Sequence, residues 1–153
     1  MQSARERDLQ KNILHLGQRP LEQIVDAIDA CNVGLIPNRH NAFTRINTPT
    51  RIFEYLARGK PVIAPRTAGI QDYFNEASLL YFEPGNAEEL ARQIEFVASH
   101  PMEALSITER GQQVYKAHAW RQEQQTLVRL VEKLFERKEE TQQMKSISSS
   151  APL

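Results

Sequence analysis

Short apolar runs alternate with helix-like stretches along this chain, and that alternation restricts its fold more than any other feature. Four runs have the length of a buried strand. They cover residues 13–16 (ILHL), 32–37 (NVGLIP), 61–64 (PVIA) and 78–82 (SLLYF). Because a strand that is apolar along its whole length must be covered on both faces, the pattern predicts an α/β fold, with helices on both faces of a parallel sheet.

Helix-like patterns fill most of the chain between these runs. Their apolar residues recur with the spacing of one helix face, most clearly in the last helix. The sequence predicts helices over 20–30, 49–58, 69–75, from Asn86 onward, 102–116 and 120–137. Thr48 is the predicted cap of the second helix and Gly59 its stop. Residues 38–48 are polar and have no period, which predicts a loop.

Charge and cysteine content narrow the class of protein. The 153 residues are enough for one domain, and 19 Lys and Arg balance 19 Asp and Glu, which gives no sign of a nucleic-acid partner. The single cysteine, Cys31, cannot form an internal disulfide, and no histidine has metal-ligand spacing. We therefore expect a cytoplasmic protein without a metal site. No segment has the roughly 18 apolar residues of a membrane span, or the pattern of a signal peptide.

The predicted sheet locates the ligand site. In sheets of this kind ligands bind beyond the carboxyl ends of the strands. This selects the loops that follow Gly17, Pro37 and Ala64. Two further residues in these loops are candidate ligand contacts: His40, in the long loop after Pro37, and Arg66, after Ala64.

The helix that follows the long loop has the residues of a nucleotide-diphosphate clamp. Its start, Thr48-Pro49-Thr50-Arg51, combines free backbone N–H groups with two hydroxyls and a guanidinium, which suit a diphosphate. Glu54, one turn on, has a carboxylate that can accept two hydrogen bonds from a ribose diol.

The same spacing has a second interpretation. Arg51, Glu54 and Arg58 are three and four residues apart, so they can form ion pairs on a solvated helix surface. Such pairs contribute only a few tenths of a kcal/mol. Spacing alone leaves both interpretations open.

An ordered set of segments resembles the donor-binding domain of GT4-type (glycosyltransferase group 1) enzymes, which have the two-domain GT-B fold. The central segment is 48–64 (TPTRIFEYLARGKPVIA). Before it come 12–17 (NILHLG) and 28–37 (IDACNVGLIP), and after it come 79–86 (LLYFEPGN) and 118–120 (HAW). The set covers about residues 12–137 and implies a Rossmann-like domain.

The resemblance implies a function for the site. In the family, the glutamate at the position of Glu54 holds the nucleotide ribose, and the helix start at Thr48 to Arg51 faces the diphosphate. The loop after Gly17 would face the base. The implied ligand is a UDP- or GDP-sugar, and the implied activity is a retaining hexosyl transfer without a required metal or cofactor. No catalytic residue is assigned within this chain.

The chain departs from the family in two respects. Ile46 stands where the family often has a glutamate that holds the donor sugar. The family also has two more βα units and an acceptor-binding domain ahead of the matched segments, and that domain would provide any contact with a membrane or glycolipid acceptor. We therefore expect a truncated reading frame, a deliberately shortened chain or one piece of a split enzyme, inactive alone. A non-catalytic nucleotide- or partner-binding module, or an inert fragment, remains the alternative.

These expectations divide the chain into three parts. Residues 1–11 are predicted to be a polar arm or the end of a truncated helix. Residues 12–138 form the partial nucleotide-sugar-binding domain. Residues 139–153 have too little apolar surface to offset the entropy of ordering and are predicted to be disordered. In the strand order 3-2-1-4-5-6 the four predicted strands would be 3, 4, 5 and 6, which leaves a gap beside the first.

Overall fold

Three short parallel strands form the centre of the protein. The structure is a computed structural model that describes the backbone of residues 10–39 and 41–149 and the side chains of 11–39 and 41–138. The strands are β1 (Gly34–Leu35), β2 (Val62–Pro65) and β3 (Leu80–Phe82), in the order β1-β2-β3. Gly34 lies opposite Val62, and Ile63 lies opposite Leu80.

Seven helices surround or extend from this sheet in the described part of the chain. They are α1 (Leu21–Ala30), α2 (Ala42–Ile46), α3 (Arg51–Ala57), α4 (Ala68–Gln71), α5 (Ala87–Ser99), α6 (Pro101–Ala117) and α7 (Trp120–Ser149), preceded by a 3-10 turn at Gln10–Asn12. The ends of α1, α3 and α6 and the starts of α4 and α5 agree with the prediction to within two residues, whereas α4 ends at Gln71 instead of residue 75.

The core lies on both faces of the sheet. Side chains of β2 alternate between the faces: Val62 and Ala64 join the cluster formed with α3, α4 and α6, whereas Ile63 packs on the other side with Leu80 and Phe82. Helix α5 covers this second cluster. The predicted α/β fold with a parallel sheet and helices on both faces is confirmed.

A glycine ends α3 as the sequence predicted. Gly59 has φ +68°, and its N–H donates to the carbonyl of Leu56 at 3.0 Å while that of Lys60 donates to Tyr55 at 3.0 Å. This pair of bonds is a Schellman motif, which favours glycine because a Cβ is strained at positive φ.

The predicted strand at residues 13–16 is wrong. In the structure these residues have no strand partner among the described residues, and Ile13 and Leu14 are 52% and 83% exposed. A strand depends on a neighbouring strand for its hydrogen bonds, and here β1 is the first strand of the sheet. An apolar run without such a neighbour remains irregular.

Two further expectations differ from the structure. Residues 38–48 were expected to be a loop, but α2 forms within them. Helix α7 continues to Ser149, although residues 139–153 were expected to be disordered. Residues 1–9 and 150–153 lie outside the described residues, so the expectations for the N-terminal arm and the last four residues concern positions the structure does not describe.

Candidate functional site

A cleft of about 420 Å³ lies where the chain leaves β1 and returns to α3. Its walls come from the residues that connect these two elements. They are Asn38, Arg39, Asn41, Phe43, Thr44, Asn47, Thr48, Pro49, Thr50 and Arg51. The cleft adjoins the carboxyl end of β1, an edge of the sheet at which the sequence analysis expects a ligand to bind. Four residues of the predicted site, Thr48 to Arg51, therefore lie together in one cleft.

Helix α2 gives one wall of the cleft a defined shape. The Asn41 side chain accepts a hydrogen bond from the Thr44 N–H at 2.9 Å, and the Thr44 hydroxyl accepts one from the Asn41 N–H at 2.9 Å. The same hydroxyl donates to the Arg39 carbonyl at 2.6 Å. This reciprocal cap is a capping box built with Thr at the third helical position. It fixes the backbone at Arg39 and from Asn41 to Thr44.

Close backbone packing fixes the other end of this segment. The Thr48 hydroxyl donates a hydrogen bond to the Gly69 carbonyl at the start of α4. Gly69 has no side chain, and a Cβ there would overlap the backbone of Ile46 and lie 2.8 Å from the Asn47 nitrogen. The segment between α2 and α3 therefore rests directly on the backbone of α4.

This contact corrects the predicted role of Thr48 as a helix cap. Helix α3 begins at Arg51, with Thr50 as its N-cap residue and no side-chain cap bond. The single hydroxyl hydrogen of Thr48 is already donated to Gly69, so this side chain is an acceptor toward the cleft. The Thr48 hydroxyl therefore forms a tertiary hydrogen bond instead of the cap of α3 that the sequence predicted.

The exposed face of α3 carries the two charged residues of the predicted site. Ile52 and Leu56 are buried in the core, whereas Arg51 and Glu54 are exposed. Neither charged side chain forms a hydrogen bond or an ion pair with any residue that the structure describes. Glu54 does not line the cleft but lies one turn beyond Arg51 on the same face.

Arg58 is paired with α1 instead of with Glu54. Its Nε donates to Asp29 Oδ1 at 2.6 Å and its Nη2 donates to Asp29 Oδ2. The hydrogen bond from Arg58 lowers the pKa of Asp29, and the same pairing raises the pKa of Arg58. Lys60 Nζ also donates to the Asp29 carbonyl at 2.7 Å. The Glu54–Arg58 pair of the alternative interpretation therefore does not form, and Arg58 ties α1 to α3.

Arg66 follows β2 but is held by neighbouring carboxylates. Its guanidinium bonds to Glu76 and, at 2.7 Å, to Glu83, and it lies 5.0 Å from the centre of the Tyr81 ring. The hydrogen bond from Glu76 is the main cause of its raised pKa. These contacts hold the Arg66 guanidinium between two carboxylates at this edge of the sheet.

Gly17 is not brought into the cleft by the described contacts. Gly17 adopts φ +67° after an exposed segment and is absent from the cleft lining. His40 lies outside the described residues. Six residues that line the cleft were not among the predicted site residues: Asn38, Arg39, Asn41, Phe43, Thr44 and Asn47. The spacing of Asn41 and Thr44 was the available signal, because it matches a helix cap.

A second cleft of about 270 Å³ adjoins the first and shares Asn38 and Arg39 with it. Its other walls come from the segment after β1, the carboxyl end of β3 and the start of α5. They are Pro37, Phe82, Gly85, Asn86, Ala87 and Leu90. The Asn86 side chain caps α5 by accepting a hydrogen bond from the Glu89 N–H at 3.0 Å. The Glu89 carboxylate accepts one from the Glu83 N–H at 2.7 Å, which ties the start of α5 to the end of β3.

Charge distinguishes the first cleft. Arg39 and Arg51 line it, and no aspartate or glutamate does. Within the described residues no cluster of three His, Cys, Asp or Glu side chains is arranged to hold a metal ion. None of the helices described in the structure is long and apolar enough to span a membrane. The cleft is therefore a small cationic site with hydroxyl and amide groups around it.

Comparison with known proteins defines the class. A family model described as glycosyl transferase-like matches residues 4–129, and the chain belongs to this family. No curated protein matches the sequence. Among solved structures, the chain resembles sucrose-phosphate synthase from Thermosynechococcus elongatus, with a TM-score of 0.76 and 24% identity over 89% of this chain and 33% of that one.

The fold also resembles HepE from Anabaena. The structure of HepE in complex with UDP-glucose has a TM-score of 0.64 and 22% identity over 74% of this chain and 30% of HepE. The complex with UDP and glucose has a TM-score of 0.69 and 20% identity over 86% and 35%. These likenesses confirm the Rossmann-like fold of GT-B glycosyltransferases. The chain spans about a third of the length of these structures.

Proposed function

We propose that this chain is the donor-binding domain of a retaining glycosyltransferase, which transfers a hexose from a UDP- or GDP-sugar to an acceptor when joined to its N-terminal part. The observation that carries the proposal is the cleft at the carboxyl end of β1, which has two arginines and no acidic residue in its lining. Membership of the glycosyl transferase-like family supports the reaction class. The UDP-glucose complex of HepE supports the ligand class.

The diphosphate occupies the cleft in this proposal. Arg51 can bind one phosphate with two parallel hydrogen bonds, because its guanidinium has no described partner. The hydroxyl and N–H of Thr50 and the N–H of Thr48 supply further donors. Glu54 accepts hydrogen bonds from the ribose diol one turn away, and the backbone after Gly17 faces the base.

Catalysis in this proposal is mainly positioning and electrostatic stabilisation. As the bond between the sugar's anomeric carbon and the diphosphate oxygen breaks, negative charge grows on the leaving diphosphate. Guanidinium groups already held beside it stabilise that charge without further reorganisation. The acceptor hydroxyl then bonds to the anomeric carbon on the face that the diphosphate leaves, and its proton departs with the diphosphate or to solvent.

Exposed apolar surface supports the proposal that this chain acts together with a further domain. Leu21 of α1 is 71% exposed, and α7 exposes an apolar stripe. The stripe consists of Leu127, Val128, Leu130, Val131, Leu134 and Phe135. Contiguous apolar surface of this kind marks an interaction site in soluble proteins. We infer that an acceptor-side domain covers it and that this chain alone does not transfer sugar.

The test is calorimetric titration of UDP and GDP into the whole chain, beside Glu54→Ala and a matched control, Glu109→Ala, which changes an exposed glutamate on α6. We expect saturable binding of one nucleotide that weakens about tenfold or more in Glu54→Ala, since a charged hydrogen-bond acceptor contributes about 1.5–3 kcal/mol. Glu109→Ala should bind as the parent does. A folded parent chain that binds neither nucleotide would refute an autonomous donor site.

A non-catalytic nucleotide-binding module is the second candidate. Two observations favour it. No catalytic base is assigned among the residues that line the cleft, and the chain spans only about a third of the length of the solved structure it resembles. Joining the chain to an acceptor-side domain and measuring release of UDP from UDP-glucose separates the two. Nucleotide binding without turnover in the joined protein would favour the module.

A further inference from the structure

Most arginines of the described chain fall into two groups. In the first group, each guanidinium donates to a neighbouring carbonyl, hydroxyl, amide or carboxylate. They are Arg19, Arg58, Arg66, Arg110 and Arg129. In the second group, no side chain has a hydrogen-bond or ion-pair partner among the described residues. They are Arg39, Arg45, Arg51, Arg92 and Arg121. Within this second group, Arg39 and Arg51 line the cleft at the carboxyl end of β1.

We propose that Arg39 is a second arginine ligand of the diphosphate, acting with Arg51 on the same anion. The proposal rests on the proposed donor-binding function and names the groups that select a diphosphate over a monophosphate. Arg39 enters the cleft from the carboxyl end of β1, whereas Arg51 enters from the start of α3. Two phosphates with two guanidinium groups allow a bidentate contact at each phosphate.

The backbone of Arg39 is fixed while its side chain remains available. Its carbonyl accepts the Thr44 hydroxyl at 2.6 Å, and the N–H of the preceding residue, Asn38, donates to the Ile36 carbonyl at 2.9 Å. The side chain itself is exposed. A guanidinium on an anchored backbone loses less conformational entropy on binding than one on a flexible loop. The entropic cost of binding is therefore smaller.

Charge in the cleft argues for an anionic occupant. Arg39 and Arg51 carry like charges, and no carboxylate lines the cleft to balance them. An anion held between two such groups neutralises both and gains from each. The size agrees with a small ligand, since about 420 Å³ falls within the roughly 300–1,000 Å³ typical of small-molecule sites.

Arg45 provides a matched control. It is an exposed arginine on α2, six residues from Arg39, and it does not line the cleft. Like Arg39, it has no described side-chain partner. Arg39→Gln and Arg45→Gln therefore change the net charge of the chain equally, and only the first alters the cleft.

The experiment titrates UDP, uridine and inorganic pyrophosphate into the parent chain, Arg39→Gln, Arg45→Gln and Glu54→Ala, with circular dichroism to verify folding. We expect Arg39→Gln to weaken UDP and pyrophosphate about tenfold or more, the effect of one lost charge-assisted contact. Uridine binding should not change, because it has no phosphate. Arg45→Gln should stay within about twofold of the parent, as exposed distant charges are screened.

The outcomes separate this inference from the proposed function. Unchanged UDP binding in Arg39→Gln, or an equal loss in Arg45→Gln, overturns the role of Arg39; weakened UDP binding in Glu54→Ala would then still support the donor site. Pyrophosphate binding that needs Arg39, without any nucleotide binding, supports the anion contact and refutes the nucleotide function. A folded parent chain that binds neither UDP nor pyrophosphate overturns both.

Discussion

The hydroxyl of Thr48 donates a hydrogen bond to the carbonyl oxygen of Gly69. This contact joins the segment before α3 to the first turn of α4. The two residues are twenty-one positions apart in the chain. It fixes where the cleft wall ends and where α3 begins. The geometry of the candidate site therefore depends on a tertiary bond as well as on the local helix start.

Removing this hydroxyl should loosen the cleft wall. Thr48→Val keeps the side-chain shape but leaves the Gly69 carbonyl without its donor, so we expect the free energy of unfolding to fall by about 1 kcal/mol. Urea denaturation measures this change. Thr48→Ser retains the hydroxyl and is the control. A valine variant as stable as the parent would show that the bond contributes nothing.

Adding one carbon at Gly69 tests the close approach of the two backbones. A Cβ there overlaps the backbone of Ile46 and cannot be relieved by rotating a flexible side chain. We expect Gly69→Ala to lower the free energy of unfolding by about 1–3 kcal/mol, the usual cost of overpacking. Gln71→Ala, at an exposed position of the same helix, should change it by less than about 0.5 kcal/mol. Equal stability of the two variants would contradict the contact.

Local signals in the sequence predicted the elements whose ends are set locally. The apolar spacing from Leu21 to Ile28 predicts α1, and Gly59 predicts the end of α3, because both depend on residues within one or two turns. The run at 13–16 failed because a strand also depends on a partner, which periodicity does not reveal. Residues 42–46 were missed because a helix of five residues shows too little period.

The site was predictable only in part, for the same reason. The segment 48–51 could be placed at the carboxyl edge of the sheet from the strand order alone. That Arg39 shares this cleft depends on the turn at α2, and the pairing of Arg58 with Asp29 depends on how α1 packs. Sequence spacing alone offered Glu54 as a possible partner of Arg58. Contacts between elements decide which charged residues remain available to a ligand.

The Asp29–Arg58 pair should make the attachment of α1 dependent on pH. The bond from Arg58 lowers the pKa of Asp29 in the folded chain. A carboxyl with a lowered folded pKa stabilises the fold above its unfolded pKa, about 3.9, and that stabilisation is lost as the pH falls through the folded value. We expect the stability difference between the parent and Asp29→Asn to be constant near neutral pH, to start shrinking below about pH 4, and to vanish only once the pH is below the lowered folded pKa of Asp29.

Denaturant titrations at several pH values measure this difference. Asp26→Asn is the control, because Asp26 lies on α1 and forms no ion pair with the residues that the structure describes. A difference for Asp29→Asn that persists unchanged into acid would mean that the carboxylate charge is not what holds α1 to α3.

The apolar stripe of α7 gives a test of what covers it. Leu130 is 54% exposed in this chain, whereas Leu56 is fully buried in the core. Leu130→Gln should therefore change the free energy of unfolding by less than about 0.5 kcal/mol, whereas Leu56→Ala should lower it by about 2–5 kcal/mol. Leu130→Gln should also reduce the binding of a hydrophobic dye, which reports exposed apolar surface.

In a protein that joins this chain to an acceptor-side domain, the same substitution should become destabilising, because the stripe is then buried. A Leu130→Gln variant that is equally tolerated in both proteins would show that the acceptor-side domain does not pack on α7.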